Sequence, residues 1–139
     1  MNARERGSAI VEFALLGSLV FGVLVQAIVL FGVLHRATLA TSAAAREYGR
    51  AIVVADSADE ATTRGALVVE QAARNHGLRS GSLRASVEGR RARGELLTVH
   101  VRTDVPVLRV PFIGAVWSSV SIPVEATHAV MVDRYRSGP

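Results

Sequence analysis

One carboxylate stands where a carboxylate is expensive. Glu12 lies at the start of an apolar run that extends from Phe13 to Leu34 without a formal charge. The run is about 22 residues long, enough as a helix to cross a hydrocarbon core of about 30 Å. An acid at the lip of such a span is costly to ionise unless it is paired, which points to a function and to a partner of opposite charge. The bland alternative is a helix-terminus acid that favours the N-terminal dipole or rests among headgroups.

Other chemistry is thinly supplied. Cysteine is absent, which removes thiolate zinc sites, cysteine nucleophiles and disulfide staples. No serine–histidine–acid order, phosphate-binding loop or paired-carboxylate motif is visible, so the reading is of a protein that is not an enzyme and uses no cofactor. His35, His76, His100 and His128 are scattered. His100 and His128 could meet across neighbouring strands, but without a third ligand no metal site is assigned. Asp56, Asp59 and Glu60 are explained by helix capping. Arg90, Arg91 and Arg93 read as a solvated hairpin tip rather than a binding patch.

The elements that must position these residues follow from periodicity. Beyond Leu34 the stretch from His35 to Glu47 is alanine-rich and free of proline, so the span is expected to continue as a rigid helical stalk to about Ala55, with Gly49 its weakest point. Ser57 then caps a second helix, with Glu60 completing a capping box. Ala58, Ala61, Gly65, Val68, Val69 and Ala72 recur at helical spacing, and Gly77 can stop the helix after His76. From Leu83 the period becomes alternating. Leu83, Ala85 and Val87 are expected to point one way, as are Leu97, Val99, Val101 and Val105 beyond a turn at 89–94. Val120, Ile122, Val124, Ala126, Val130 and Val132 line one side of the last strand, opposite Ser121, Glu125, Thr127 and Asp133. These patterns predict an α+β fold: a long N-terminal transmembrane helix continuing as a stalk, a second helix, and a small three-stranded antiparallel sheet. The connection at 107–117 is greasier than a free loop should be, which suggests that something covers it.

The chain has 139 residues and a formal net charge of +4, room for one small soluble domain once leader and span are subtracted. Every basic residue is arginine. The arginines are spread along the chain and aromatics are few, so nucleic-acid binding is excluded as a reading. On the span itself, Ala14, Ser18, Gly22 and Gln26 recur every fourth residue. This small-residue stripe could let another helix approach closely, with Gln26 able to hydrogen-bond across it.

The stretch Arg4-Glu5-Arg6-Gly7-Ser8-Ala9-Ile10-Val11-Glu12 resembles the processing site of type IV prepilins. RGSAIVEFALL followed by a hydrophobic helix and SAAAREYGRA looks more narrowly like the TadE-like proteins of tight-adherence (Flp-type) pilus systems. The resemblance covers about a third of the chain, roughly Arg4 to Ala51. It departs from the family at Gly17-Ser18, where a proline is often found, and at Tyr48-Gly49, which replaces a Gly-Ala pair.

The resemblance implies that a prepilin peptidase cuts after Gly7, leaving Ser8 as the new first residue and Glu12 as the fifth. The new α-amine on Ser8, of this or a neighbouring subunit, would then be the counter-ion of Glu12. Glu12 and Phe13, with Ala14, Ser18, Gly22 and Gln26, become the assembly residues. The expected organisation is a cytoplasmic leader at 1–7, a transmembrane helix at 8–34, a stalk at 35–55 and an exported domain at 56–139. The protein would sit in the bacterial plasma membrane as a single-pass minor pilin or pseudopilin, pilus-associated after processing. Its partners would be the prepilin peptidase, other pilins, an inner-membrane assembly platform and membrane lipid. The weakly basic leader agrees with a cytoplasmic N-terminus, while Arg36, Arg46 and Arg50 beyond the span argue mildly the other way. Two other readings compete: a secretory signal cut near the small residues Thr41 to Ala45, for which the apolar core is too long, and an uncleaved single-pass binding or sensor domain.

Overall fold

The apolar run and the alanine-rich stretch behind it form a single helix. In the computed structural model, which describes residues 3–92, 94–107 and 120–132, helix α1 spans Ala3–Val54. The chain divides into two compact units, one up to Gly32 and one from Val33 on. In the first unit Phe13, Leu19, Phe21 and Phe31 are 65% to 79% exposed. Large apolar side chains left open along several turns of helix are what an apolar solvent or a protein partner requires, and water does not. The helix is long and apolar enough to cross a membrane or to act as a signal.

In the second unit, the continuation of α1 is interior. Ala37, Ala40, Thr41, Ala44, Ala45 and Ile52 are all buried, a stripe at helical spacing whose small side chains bring the helix backbone close to its neighbours. Thr41 buries its hydroxyl at little cost because it donates to the carbonyls of Ala37 and Thr38, at 3.0 and 3.1 Å.

Helix α2, Ala58–Asn75, begins and ends where its local signals dictate. The Ser57 hydroxyl accepts from the Glu60 N–H at 3.1 Å, and the Glu60 carboxylate reaches back to the Asp56 N–H at 2.7 Å. At the other end the Leu78 N–H donates to Ala73 O at 2.8 Å and the Gly77 N–H to Arg74 O at 3.0 Å. Gly77 makes this Schellman closure by taking a φ of +66°. Leu78 then packs on the core.

Strands β1 (Arg84–Glu88), β2 (Leu96–Pro106) and β3 (Ser121–Met131) form an antiparallel sheet in the order β1-β2-β3. On the central strand Leu97, Val99, Val101, Thr103 and Val105 are buried and their neighbours are not, as the alternation predicts. In β3 the even-numbered residues from Ile122 to Val130 are half-buried. Beyond the strands, the Gly94 N–H donates to Val132 O and the Val132 N–H to Glu95 O, both at 3.0 Å. The pairing is therefore continued to the base of the hairpin.

β1 departs from expectation. Leu83 is buried, but every residue of β1 is exposed, Val87 included at 37%. Ala85 and Val87 share the face of Val101 and Val99 through the register, yet burial is centred on β2 and fades across both flanking strands. A five-residue edge strand is too far from that centre to be covered.

Of the apolar connection singled out at 107–117, all but Val107 lies outside the described residues, as do Asp133 and Arg93. At the base of that connection the Val107 N–H donates to Val120 O at 3.0 Å. The fold is α+β. A long apolar N-terminal helix followed by a small antiparallel sheet is a pilin-like architecture.

Candidate functional site

The residues singled out for processing and assembly all lie on α1. Gly7 and Ser8 fall in its second turn. Glu12 is exposed beside Phe13. It makes no ion pair among the described residues, and a peptide-bonded Ser8 has no amine to offer until a cut is made.

Ala14, Ser18 and Gly22 are exposed and Gln26 is half-buried. A Cβ added at Gly22 would meet nothing within 4 Å, so the chain itself leaves the stripe open at that point. Each four-residue step advances about 40° around a helix, which puts Gln26 about 120° from Ala14. A second helix can follow such a stripe only by crossing at an angle, the geometry of small-residue helix pairs in membranes.

Two packing contacts explain the Tyr48-Gly49 pair. Tyr48 lies over α2 at Gly65, where an ideal Cβ would stand 2.6 Å from the ring Cζ and 2.8 Å from Cδ2. Gly49 faces β3, where an added Cβ would stand 3.2 Å from His128 Cδ2 and 3.4 Å from Val130 Cγ1. The residue expected to be the weak point of a stalk is therefore a close contact between helix and sheet.

The arginines at the hairpin do not act alike. Arg90 is exposed and pairs loosely with Glu95 at 3.7 Å. Arg91, by contrast, is half-buried and its guanidinium donates to Ala55 O. The last turn of α1 contains no basic residue of its own, so Arg91 supplies from the hairpin the cation that the carbonyl end of a helix attracts. This corrects the reading of Arg91 as part of a solvated tip.

His100 and His128 do not meet. Val99 pairs with His128 and His100 with Thr127, so the two imidazoles lie on opposite faces of the sheet. His128 lies on the inward face near Gly49. On the outer face, His100 Nδ1 is 3.2 Å from Glu125 Oε1 and 3.2 Å from Thr127 Oγ1, while Nε2 is 3.7 Å from Glu88 Oε2. The cluster ties all three strands together. Among the described residues no three potential ligands gather about one point.

A second polar clip holds the turn after α2. The Glu70 carboxylate accepts from the Ser80 hydroxyl and from Arg74 Nη1 at 3.2 Å with one oxygen, and from the Gly81 N–H at 3.1 Å with the other. The Ser80 bond above all, then the Gly81 bond, keeps its pKa below the ordinary glutamate value, with the Arg74 charge acting the same way and desolvation opposing. Sequence reasoning missed both clusters. Only the Glu70–Arg74 spacing of four on a helix was available as a signal.

Comparisons with protein-family models, with curated proteins and with solved structures found no match for the chain.

Proposed function

We propose that this protein is a minor pilin or pseudopilin that contributes to assembly of a tight-adherence type IV pilus. It is made as a single-pass precursor in the bacterial plasma membrane, with its C-terminal domain exported, and is cut after Gly7 by a prepilin peptidase. The observation that carries the reading is the division of labour along α1. Its first part exposes most of its large apolar side chains, Phe13, Leu19, Phe21 and Phe31 among them, and its continuation provides the interior of a small sheet domain. A subunit built this way can leave the bilayer and enter a filament by exchanging lipid for neighbouring helices, with its folded domain unchanged. Glu12 would then find the Ser8 amine of the same or a neighbouring subunit, which lowers the cost of holding both charges among apolar helices.

The secretory-signal reading loses support on packing grounds. A cut between Thr41 and Ala45 would remove Ala37 and Ala40 and break the buried stripe at Thr41, Ala44 and Ala45, leaving the domain without one wall of its core. The test of the pilin reading is the mature N-terminus. Co-expression with a prepilin peptidase should yield a chain beginning at Ser8, and Gly7→Val should block the cut. A chain still beginning at Met1 beside active peptidase would overturn processing and leave an anchored binding or sensor domain in its place.

A further inference from the structure

Positive charge gathers just beyond the apolar run, and its use there rests on α1 being a membrane anchor. Arg36 is the second residue beyond Leu34, where the run ends, about 3 Å further along the helix. Its guanidinium reaches the terminating turn of α2: a Cβ on Gly77 would stand 3.8 Å from Arg36 Nη1. That contact brings the basic end of α2 to the point where the chain would leave the bilayer. Arg74 lies in its last turn and Arg79 two residues past Gly77.

The charge at this end is not balanced from within. Arg36, Arg74 and Arg79 are all exposed. Glu70 is the nearby carboxylate, and both its oxygens are engaged by Ser80, Arg74 and Gly81. Arg36 and Arg79 have no carboxylate partner among the described residues. The carbonyl end of α2 accounts for one cation beside Gly77 and leaves Arg79 unexplained. Arginines just outside the exported end of a span also run against the usual bias, which keeps them on the cytoplasmic side.

We propose that Arg36 and Arg79, backed by Arg74, form a docking surface for the headgroups of anionic phospholipids in the leaflet from which the chain emerges. Anionic lipid supplies the charge that the domain lacks, and Arg36, two residues past Leu34, lies within the roughly 8–10 Å over which physiological salt leaves charges visible to each other. Each arginine so placed favours anionic over neutral lipid about fivefold. Arg46 serves as an internal control. It too is exposed and lacks a carboxylate partner, but it lies ten residues beyond Arg36, about 15 Å along the helix.

The test uses the full chain in phosphatidylcholine vesicles that carry a trace of spin-labelled phosphatidylglycerol or spin-labelled phosphatidylcholine. Electron spin resonance reads the fraction of each lipid immobilised by the protein. The wild type should prefer the anionic lipid about fivefold or more at low salt. The preference should fall towards parity in Arg36→Gln/Arg79→Gln and at high salt, and persist in Arg46→Gln. Circular dichroism should show that all variants remain folded, because the substituted side chains are exposed. Parity in the wild type would overturn the proposal, as would a preference that survives the double substitution. Equal loss on Arg46→Gln would also overturn it, by reducing the effect to net charge. If neither lipid is immobilised at all, α1 does not enter the bilayer, and the anchor reading falls with the inference.

Discussion

The ring of Tyr48 on α1 occupies the place that a β-carbon on Gly65 of α2 would take. Glycine within a helix costs about 1 kcal/mol relative to alanine, and here that cost is offset by an aromatic side chain lying directly on a helix backbone. The contact joins the two helices above the sheet, and its two partners are 17 positions apart in sequence, so no local pattern announces it.

Gly65→Ala should therefore destabilise the domain by about 1–3 kcal/mol despite the gain in helix propensity, because the ring is displaced from its site. Adding Tyr48→Ala should recover part of the loss, since the two changes share one contact. Gly49→Ala should be nearly neutral by comparison, because its contacts at 3.2 and 3.4 Å are with side chains that can yield a few tenths of an ångström. Denaturant unfolding of the full chain in detergent, read by amide exchange in β2, measures all of them. A Gly65→Ala protein at least as stable as the wild type would show that the ring contact constrains nothing.

Arg91→Met keeps most of the apolar stem and removes the donor at Ala55 O. It should cost about 0.5–2 kcal/mol by leaving the end of α1 without its cation. Arg90→Met should stay within about 0.5 kcal/mol, as expected of an exposed arginine with a long, weak ion pair. Equal effects of the two substitutions would return Arg91 to the role of a solvated tip residue.

The Glu70 clip makes a prediction about acid. Its carboxyl is held below the ordinary glutamate value by Ser80, Gly81 and Arg74. A group depressed in this way contributes stability that is fully present above its unfolded pKa of about 4.5 and is lost as pH falls through the folded value. Exchange of the Gly81 amide should accelerate, relative to amides elsewhere in the domain, as the pH drops through that range. Glu70→Gln should show fast Gly81 exchange already at neutral pH and a flatter acid response. A Gly81 amide equally protected in both proteins would mean that the clip is absent in solution.

Substitutions at Glu12 test the proposed processing and the proposed assembly separately. If the chain is cut after Gly7 as proposed, recognition should rest on the leader and the glycine, and Glu12→Ala should be cut nearly as well as the wild type. Its association with partner pilins should fail, because the Ser8 amine loses its counter-ion among apolar helices. Glu12→Gln should fail similarly if charge is what matters and behave nearly normally if a hydrogen bond suffices. Co-purification with partner pilins reads the result, and wild-type recovery of both variants would make Glu12 a headgroup-facing acid without a role in assembly.

Signals that act over a few residues were legible in the sequence. The apolar run, the Ser57 cap, the stop at Gly77 and the alternation of β2 each depend on neighbours within a turn or a strand, so residue type and spacing suffice to read them. Register is a different matter. Whether His100 meets His128 turns on a shift of a single residue between β2 and β3, which sends the two rings to opposite faces. The exposure of Ala85 and Val87 was hidden as well, because alternation names a face and cannot say whether anything covers it. Tyr48 with Gly65 and Arg91 with Ala55 are contacts between segments brought together only when the helices and the hairpin pack, and Glu70 meets Ser80 only once the chain folds back after α2. Only the tertiary structure could decide them, since their energy comes from proximity that no local preference of the chain encodes.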